Sequence, residues 1–209
     1  MTRIKVCGIM NQSELLQAIS AGVDAVGFVV EIGDSRHSIS ANEAADLIKL
    51  VPIFTKSVAV IAPENVDEAE ELAIGARSDV LQVHGSLSPE DLSELRKRIP
   101  QKIVAAVAAD SDDALSFACS VDAILLDTLV NGKLGGTGAV HDWNHSADLA
   151  KRLKVPVILA GGLNTGNVAE AILKVRPYAV DVSSGTETRG KKDPEKINSF
   201  VREVRSCPL

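Results

Sequence analysis

The sequence predicts a closed (β/α)8 barrel. Three observations carry this: eight short apolar, β-branched runs, a stretch of helical spacing after every one of them, and a length of 209 residues, enough for one such barrel. The first unit pairs a strand at 4–8 with a helix at 12–21. The second pairs 25–30 with 42–50, where Ser40 opens a Ser-x-x-Glu43 capping box. The third is 55–61 with 66–77, and the fourth 80–84 with 89–98, where Ser88 precedes Pro89 and the acidic pair Glu90 and Asp91. Strands at 102–108 and 123–127 lead into helices at 112–119 and 143–153, the latter opened by Asp142. The last two units are 156–160 with 167–175 and 179–183 with 194–204, where Asp193 precedes Pro194.

Strands that alternate with helices require right-handed parallel crossovers, and continuous apolar strands suit a sheet covered by helices. An open doubly wound sheet is the alternative. It would advertise GxGxxG after its first strand, whereas this strand ends in Cys7-Gly8-Ile9-Met10-Asn11. No linker or low-complexity tract interrupts the pattern, so residues 1–209 are expected to form one domain.

Composition removes several function classes. The formal net charge is −6, basic residues are scattered, and four Phe, one Tyr and one Trp offer little base stacking, so nucleic acid is not an expected partner. No apolar run approaches bilayer length, and the N-terminus enters a strand at once without a leader, so a cytoplasmic protein off the membrane is expected, as monomer or homodimer. Cys7, Cys119 and Cys207 form no CxxC pair, which points to reduced thiols and no structural metal site.

In a (β/α)8 barrel, functional groups gather at the C-terminal ends of the strands. Two consecutive strands near the C-terminus run into small-residue turns, Gly161-Gly162 and Ser183-Ser184-Gly185, whose amides suit an anion and suggest a phosphorylated small molecule. Strand alternation lets Cys7 and Asp127 point into the barrel mouth as a thiol and carboxyl acid–base pair. His84 is expected to support them from the end of its strand, and Arg36 in the loop after the second strand could clamp a carboxylate, with His37 beside it. Lys5 and Asp181 are expected to form a buried pair, which makes Lys5 structural rather than a Schiff-base lysine. Lys191 and Lys192, in the loop after the second glycine turn, could add charge near the phosphate, although such residues are more often solvated.

The motifs Lys5-Val-Cys7-Gly8-Ile9, Asp24-Ala-Val-Gly-Phe28, Leu81-Gln-Val-His84-Gly85, Leu126-Asp127-Thr128, Gly135-Gly-Thr-Gly138 with Asp142-Trp143, Ala160-Gly161-Gly162-Leu-Asn164, Val180-Asp-Val-Ser-Ser-Gly185 and Gly190-Lys-Lys-Asp193 occur in this order along the chain. Together the sequence resembles the phosphoribosylanthranilate isomerases of tryptophan biosynthesis over its whole length. The resemblance implies a (β/α)8 barrel and a cofactor-free Amadori rearrangement of N-(5-phosphoribosyl)anthranilate. Carried over, Asp127 is the general acid and Cys7 the general base, the glycine turns hold phosphate, and Arg36 holds the anthranilate carboxylate. Three positions depart from the family pattern: His37 fills the usual arginine slot, His141 stands where Phe is usual, and Glu31 ends the second strand. The alternatives are another phosphosugar isomerase or epimerase on the same fold, and a non-catalytic phosphosugar-binding barrel that would need neither Cys7 nor Asp127.

Overall fold

Eight parallel strands close on themselves in chain order: β1 (Arg3–Cys7), β2 (Ala25–Val30), β3 (Lys56–Ile61), β4 (Val80–Val83), β5 (Lys102–Ala108), β6 (Ala123–Asp127), β7 (Val157–Leu159) and β8 (Ala179–Val182). β8 returns to β1 with Asp181 opposite Lys5, and β1 pairs on its other side with β2, Cys7 opposite Gly27. The computed structural model describes residues 1–130, 133–134 and 140–208, so the Gly135-Gly-Thr-Gly138 motif lies outside the described residues. The closed barrel, rather than the open sheet, is what the chain forms.

The helices are α1 (Gln12–Ser20), α2 (Ala41–Ile48), α3 (Val66–Ala76), α4 (Pro89–Arg98), α5 (Ala114–Phe117), α6 (Trp143–Arg152), α7 (Val168–Val175) and α8 (Pro194–Ser206). Their starts are set by the expected caps: Ser40 and Ser88 form capping boxes with Glu43 and Asp91, while Asp142 and Asp193 accept backbone N–H groups of the first turn. Asn11 and Asn65 cap α1 and α3 in the same way. α5 is shorter than the expected 112–119: Asp113 takes up a helical backbone without a side-chain cap bond, and a single turn is all that forms. Two-residue pairings at Glu187–Thr188 with Lys191–Lys192, and a two-residue strand Ser38–Ile39 beside β2, were not expected. No helix among the described residues is long and apolar enough to cross a membrane.

Alternation along each strand separates two environments. The outward residues, among them Val6, Phe28, Ile61, Leu81, Ile103, Leu126, Leu159 and Val180, join one large cluster with the helices. The inward residues are smaller, with Val29, Val58 and Val60 on one side and Val104, Ala106, Leu125 and Ala160 on the other. Small interior side chains are what a closing sheet of this diameter admits.

A repeated device ties the N-terminal end of the barrel. Asp24, Asp79 and Asp122, each just before an even-numbered strand, accept the backbone N–H of Ile4, Ser57 and Ile103 on the preceding strand, at 2.8, 2.9 and 2.9 Å. Each is paired with a basic group, Arg205, Lys56 and Arg96 respectively. Structural polar groups thus sit at the end away from the strand C-termini.

Leu81 is fully buried where β4 meets the helices. Leu81→Ala is expected to cost about 3 kcal/mol and to lower the thermal midpoint by roughly 6–12 °C, read by thermal and urea unfolding.

Candidate active site

On four strands the inward residues toward the C-terminal end are polar. β1 contributes Lys5 and Cys7, β4 contributes Gln82 and the following His84, β6 ends in Asp127, and β8 carries Asp181 followed by Ser183. The Lys5 ammonium donates to Asp181 Oδ2 at 3.0 Å and to Gln82 Oε1 at 2.9 Å, the expected ion pair with an added amide. Asp181 Oδ1 is buried and has no hydrogen-bond partner among the described residues.

Because an ammonium can only donate, the Gln82 oxygen faces Lys5 and the amide nitrogen faces His84 Nε2 at 2.8 Å. Gln82 therefore donates to a neutral imidazole whose proton is on Nδ1. Burial, with the Lys5 charge adding to it, pulls the His84 pKa down to about 4, in keeping with that neutral ring.

Cys7 and Asp127 both face the interior, at 8% and 6% exposure. Burial raises the Cys7 pKa above its ordinary 9.0, opposed by the nearby Lys5 and Lys192 charges. Burial also raises Asp127, to about 6, against the N–H of Thr128, which donates to Asp127 Oδ1 at 2.7 Å; the Asp181 charge pushes the same way as burial. A carboxyl that holds its proton up to about pH 6 thus lies in one mouth with a thiol.

The two glycine turns lock together above this pair. Gly161 has φ +81°, and a Cβ there would fall 2.1 Å from Thr128 Oγ1; a Cβ on Gly185 would fall 2.0 Å from the carbonyl oxygen of Leu163. Neither position admits a side chain. Asn167 Nδ2 donates to the Gly162 carbonyl at 3.0 Å, and Thr186 N and Lys192 Nζ donate to the Ser183 carbonyl at 3.1 and 3.2 Å. In trans peptides the next amides, of Leu163 and Ser184, point the opposite way from these tethered carbonyls.

The loop residues correct the sequence reading. Lys192 is not a solvated lysine: it is 6% exposed and donates to Glu187 Oε1 at 2.7 Å, while Lys191 is exposed. Arg36 is half exposed and donates through Nη2 to Glu187 Oε2 at 2.6 Å, and His37 Nε2 stands 3.0 Å from Glu187 Oε1. Arg36 and His37 therefore share one acidic partner rather than competing for one slot. The His37 and Lys192 contacts outweigh the burial that would raise Glu187 and hold its carboxyl at about 2. Sequence reasoning missed Glu187, whose role depends on the fold bringing the loops after β2 and β8 together. It also missed Gln82, although period-2 spacing places that residue on the same face as His84.

The other two departures are structural. Glu31 takes φ +55° and its carboxylate accepts the N–H of Ala41 at 3.0 Å, closing the start of α2. His141 bridges Thr128 Oγ1 at 3.0 Å and Ser146 Oγ at 2.8 Å, bracing the residue against which Gly161 packs.

Fold and mouth together define a (β/α)8-barrel enzyme, with a buried carboxyl and a buried thiol beneath a pair of interlocked glycine turns. More narrowly, the chain belongs to the N-(5′-phosphoribosyl)anthranilate isomerase family, whose model matches residues 4–203. It is 55% identical to the N-(5′-phosphoribosyl)anthranilate isomerase of Methanothrix thermoacetophila, covering 99% of this chain and 100% of that one. It is 41% identical to that of Natronomonas pharaonis, with the same coverage of both chains. Among solved structures, the phosphoribosylanthranilate isomerase of Thermotoga maritima superposes with a TM-score of 0.86 at 34% identity, over 98% of this chain and 99% of that one. A phosphoribosylanthranilate isomerase in complex with reduced 1-(o-carboxyphenylamino)-1-deoxyribulose 5-phosphate superposes at 0.83, at 33% identity over the same shares.

The raised pKa of Asp127 has a defined sign for stability. Its folded value lies above the unfolded one near 3.8, so the stability it contributes is present at low pH and is lost as pH rises through about 6. Asp127→Asn is therefore expected to be more stable than wild type at about pH 8, by on the order of 2 kcal/mol, and to lose that advantage near pH 4. Urea unfolding at the two pH values reads the difference.

Proposed function

We propose that the chain catalyses the Amadori rearrangement of N-(5-phospho-β-D-ribosyl)anthranilate to 1-(2-carboxyphenylamino)-1-deoxy-D-ribulose 5-phosphate, a step of tryptophan biosynthesis, with Asp127 as general acid and Cys7 as general base. The observation that carries this is the pairing of a buried carboxyl titrating at about 6 with a buried thiol in one barrel mouth. The family membership supplies the substrate.

Asp127 gives its proton to the ring oxygen of the ribose, so that the C1–O bond breaks and an iminium forms to the anthranilate nitrogen. The Cys7 thiolate then takes the proton from C2, and the resulting enolamine tautomerises to the ketose. Hydrogen moves within the substrate and nothing is oxidised or reduced overall, so no cofactor or metal is called for. The phosphate rests on the turns at Gly161, Gly162, Ser183, Ser184 and Gly185. Arg36 meets the anthranilate carboxylate with the donors that its single bond to Glu187 leaves over, and His84 offers Nδ1–H to the sugar. The carboxyphenylamino phosphosugar bound by the solved relative is of this chemistry. Residues 1–209 act as one domain on this small phosphorylated molecule, with no nucleic-acid or membrane partner, in the cytoplasm. The chain works as monomer or homodimer; the Thermotoga maritima relative is dimeric.

This assignment needs the proton on Asp127 while Cys7 is ionised, the reverse of the order in which the two groups titrate. Between the two pKa values the active protonation state is a constant small fraction; below the lower one it falls as Cys7 and Asp127 both hold protons. kcat/KM is therefore expected to fall about tenfold per pH unit below about pH 6 and to stay level above it until Cys7 titrates. Cys7→Ala and Asp127→Asn are each expected to lower kcat by at least about 10²-fold, with KM within a few-fold of wild type. Loss of anthranilate-type fluorescence on addition of freshly formed substrate reads all three, and undiminished turnover in either variant would remove that residue from the mechanism.

A further inference from the structure

β1 carries a buried cation that the proton transfers above leave without a task. Lys5 is 4% exposed, and an ammonium has three protons to place. Asp181 and Gln82 accept two, at 3.0 and 2.9 Å, and the side chain of Cys7, on the same face of the strand, lies beside the ammonium. A pair that served only to close the β1–β8 seam would need Asp181 alone.

The neighbouring strand is built around this contact. Gly27 lies opposite Cys7 in register, and a Cβ there would stand 2.7 Å from Cys7 Sγ, 2.9 Å from Lys5 Cε and 3.1 Å from Lys5 Nζ. Any side chain at this position would drive the sulfur and the ammonium from the space they share.

We propose that Lys5 is a positioning residue of the isomerisation: its ammonium, anchored by Asp181 and Gln82 and kept beside Cys7 by the gap at Gly27, is the counter-ion that stabilises the sulfur when it ionises to act as base. The proposal rests on the reading of Cys7 as the base.

The groups around Cys7 leave this task to Lys5. β2 and β3 present Gly27, Val29, Val58 and Val60, which carry no charge. β4 presents Gln82 and a neutral His84, β6 presents Asp127, and β8 presents Asp181, whose charge opposes a thiolate. From the loops, His37 packs over Gly8, and Lys192 favours the thiolate from further off while bound to Glu187 and the Ser183 carbonyl. Lys5 is the cation in contact with the sulfur, and its effect on Cys7 exceeds that of Asp181.

The test uses the full chain with Cys119→Ser and Cys207→Ser, so that Cys7 is the remaining thiol. Thiolate ultraviolet absorbance is titrated against pH, with Cys7→Ala subtracted, for this parent and for Lys5→Met and Lys5→Met/Asp181→Asn. The double variant strands no buried charge and covers the case in which Lys5→Met does not fold. Lys5→Met is expected to raise the thiolate midpoint by at least about one pH unit, and the double variant to raise it by less. kcat at neutral pH is expected to fall about tenfold per unit of that shift, with KM changed less than about threefold. Gly27→Ala, which keeps both charges but separates them, is expected to raise the midpoint as well. Unmoved midpoints in the Lys5 variants, with only the melting temperature lowered, overturn the proposal and leave Lys5 a seam residue. Full turnover by Cys7→Ala overturns the base assignment and the proposal with it, whereas an inactive Cys7→Ala beside unmoved midpoints overturns the role of Lys5 alone.

Discussion

Closing a parallel sheet of eight strands puts one row of side chains per strand into a narrow interior, and the ion pair between Lys5 and Asp181 at the β1–β8 seam sets what that interior can hold. A buried ammonium is tolerated only when its protons are taken up. Here Asp181 and Gln82, from two other strands, accept two of them, and Cys7 lies beside the ammonium. The direction of the Gln82 amide follows from Lys5, and the tautomer of His84 follows from Gln82. Asp127, in the same enclosure, keeps its proton to about pH 6 because it is desolvated and faces the Asp181 charge. The pocket's electrostatics therefore descend from one seam contact, with apolar packing on the outer faces of the strands holding the geometry.

The paired glycine turns obey a different constraint, that of close backbone approach. The turns after β7 and β8 touch, with Gly185 against the Leu163 carbonyl and Gly161 against Thr128 at the end of β6. Three consecutive strand ends are thereby fixed relative to one another before any ligand arrives. His141 extends the brace by holding Thr128 through its ring. The loops after β2 and β8 are joined in turn by Glu187, which takes Arg36 and His37 from one side and Lys192 from the other. Lys192 also reaches the Ser183 carbonyl, so the acidic node and the glycine turns are mechanically one piece.

Much of this was legible in the chain. Hydrophobic runs and capping residues located every barrel strand and helix to within a few residues, because both signals are local: a Ser or Asp that caps a helix does so within three positions of itself. The Lys5–Asp181 pair could be foreseen because closure makes the first and last strands neighbours and alternation gives them a common face. What failed was of another kind. The short α5 reflects a helix start without a side-chain cap, and the burial of Lys192 reflects a partner five positions earlier brought round by a two-residue hairpin. Nothing in the composition of the loop around Arg36 announces that its partner is Glu187, 151 positions away.

The sequence by itself determined the eightfold alternation, the registers implied by period-2 patterning, and the residue types available at each strand end, because these depend on neighbours along the chain. Only the tertiary structure decided which of those residues meet. The proton affinities of Cys7 and Asp127, the neutral tautomer of His84 and the sharing of Glu187 by Arg36, His37 and Lys192 arise from burial and from charges on other strands and loops. Coulomb forces and desolvation act through space, and the chain order holds no record of those distances until the barrel closes.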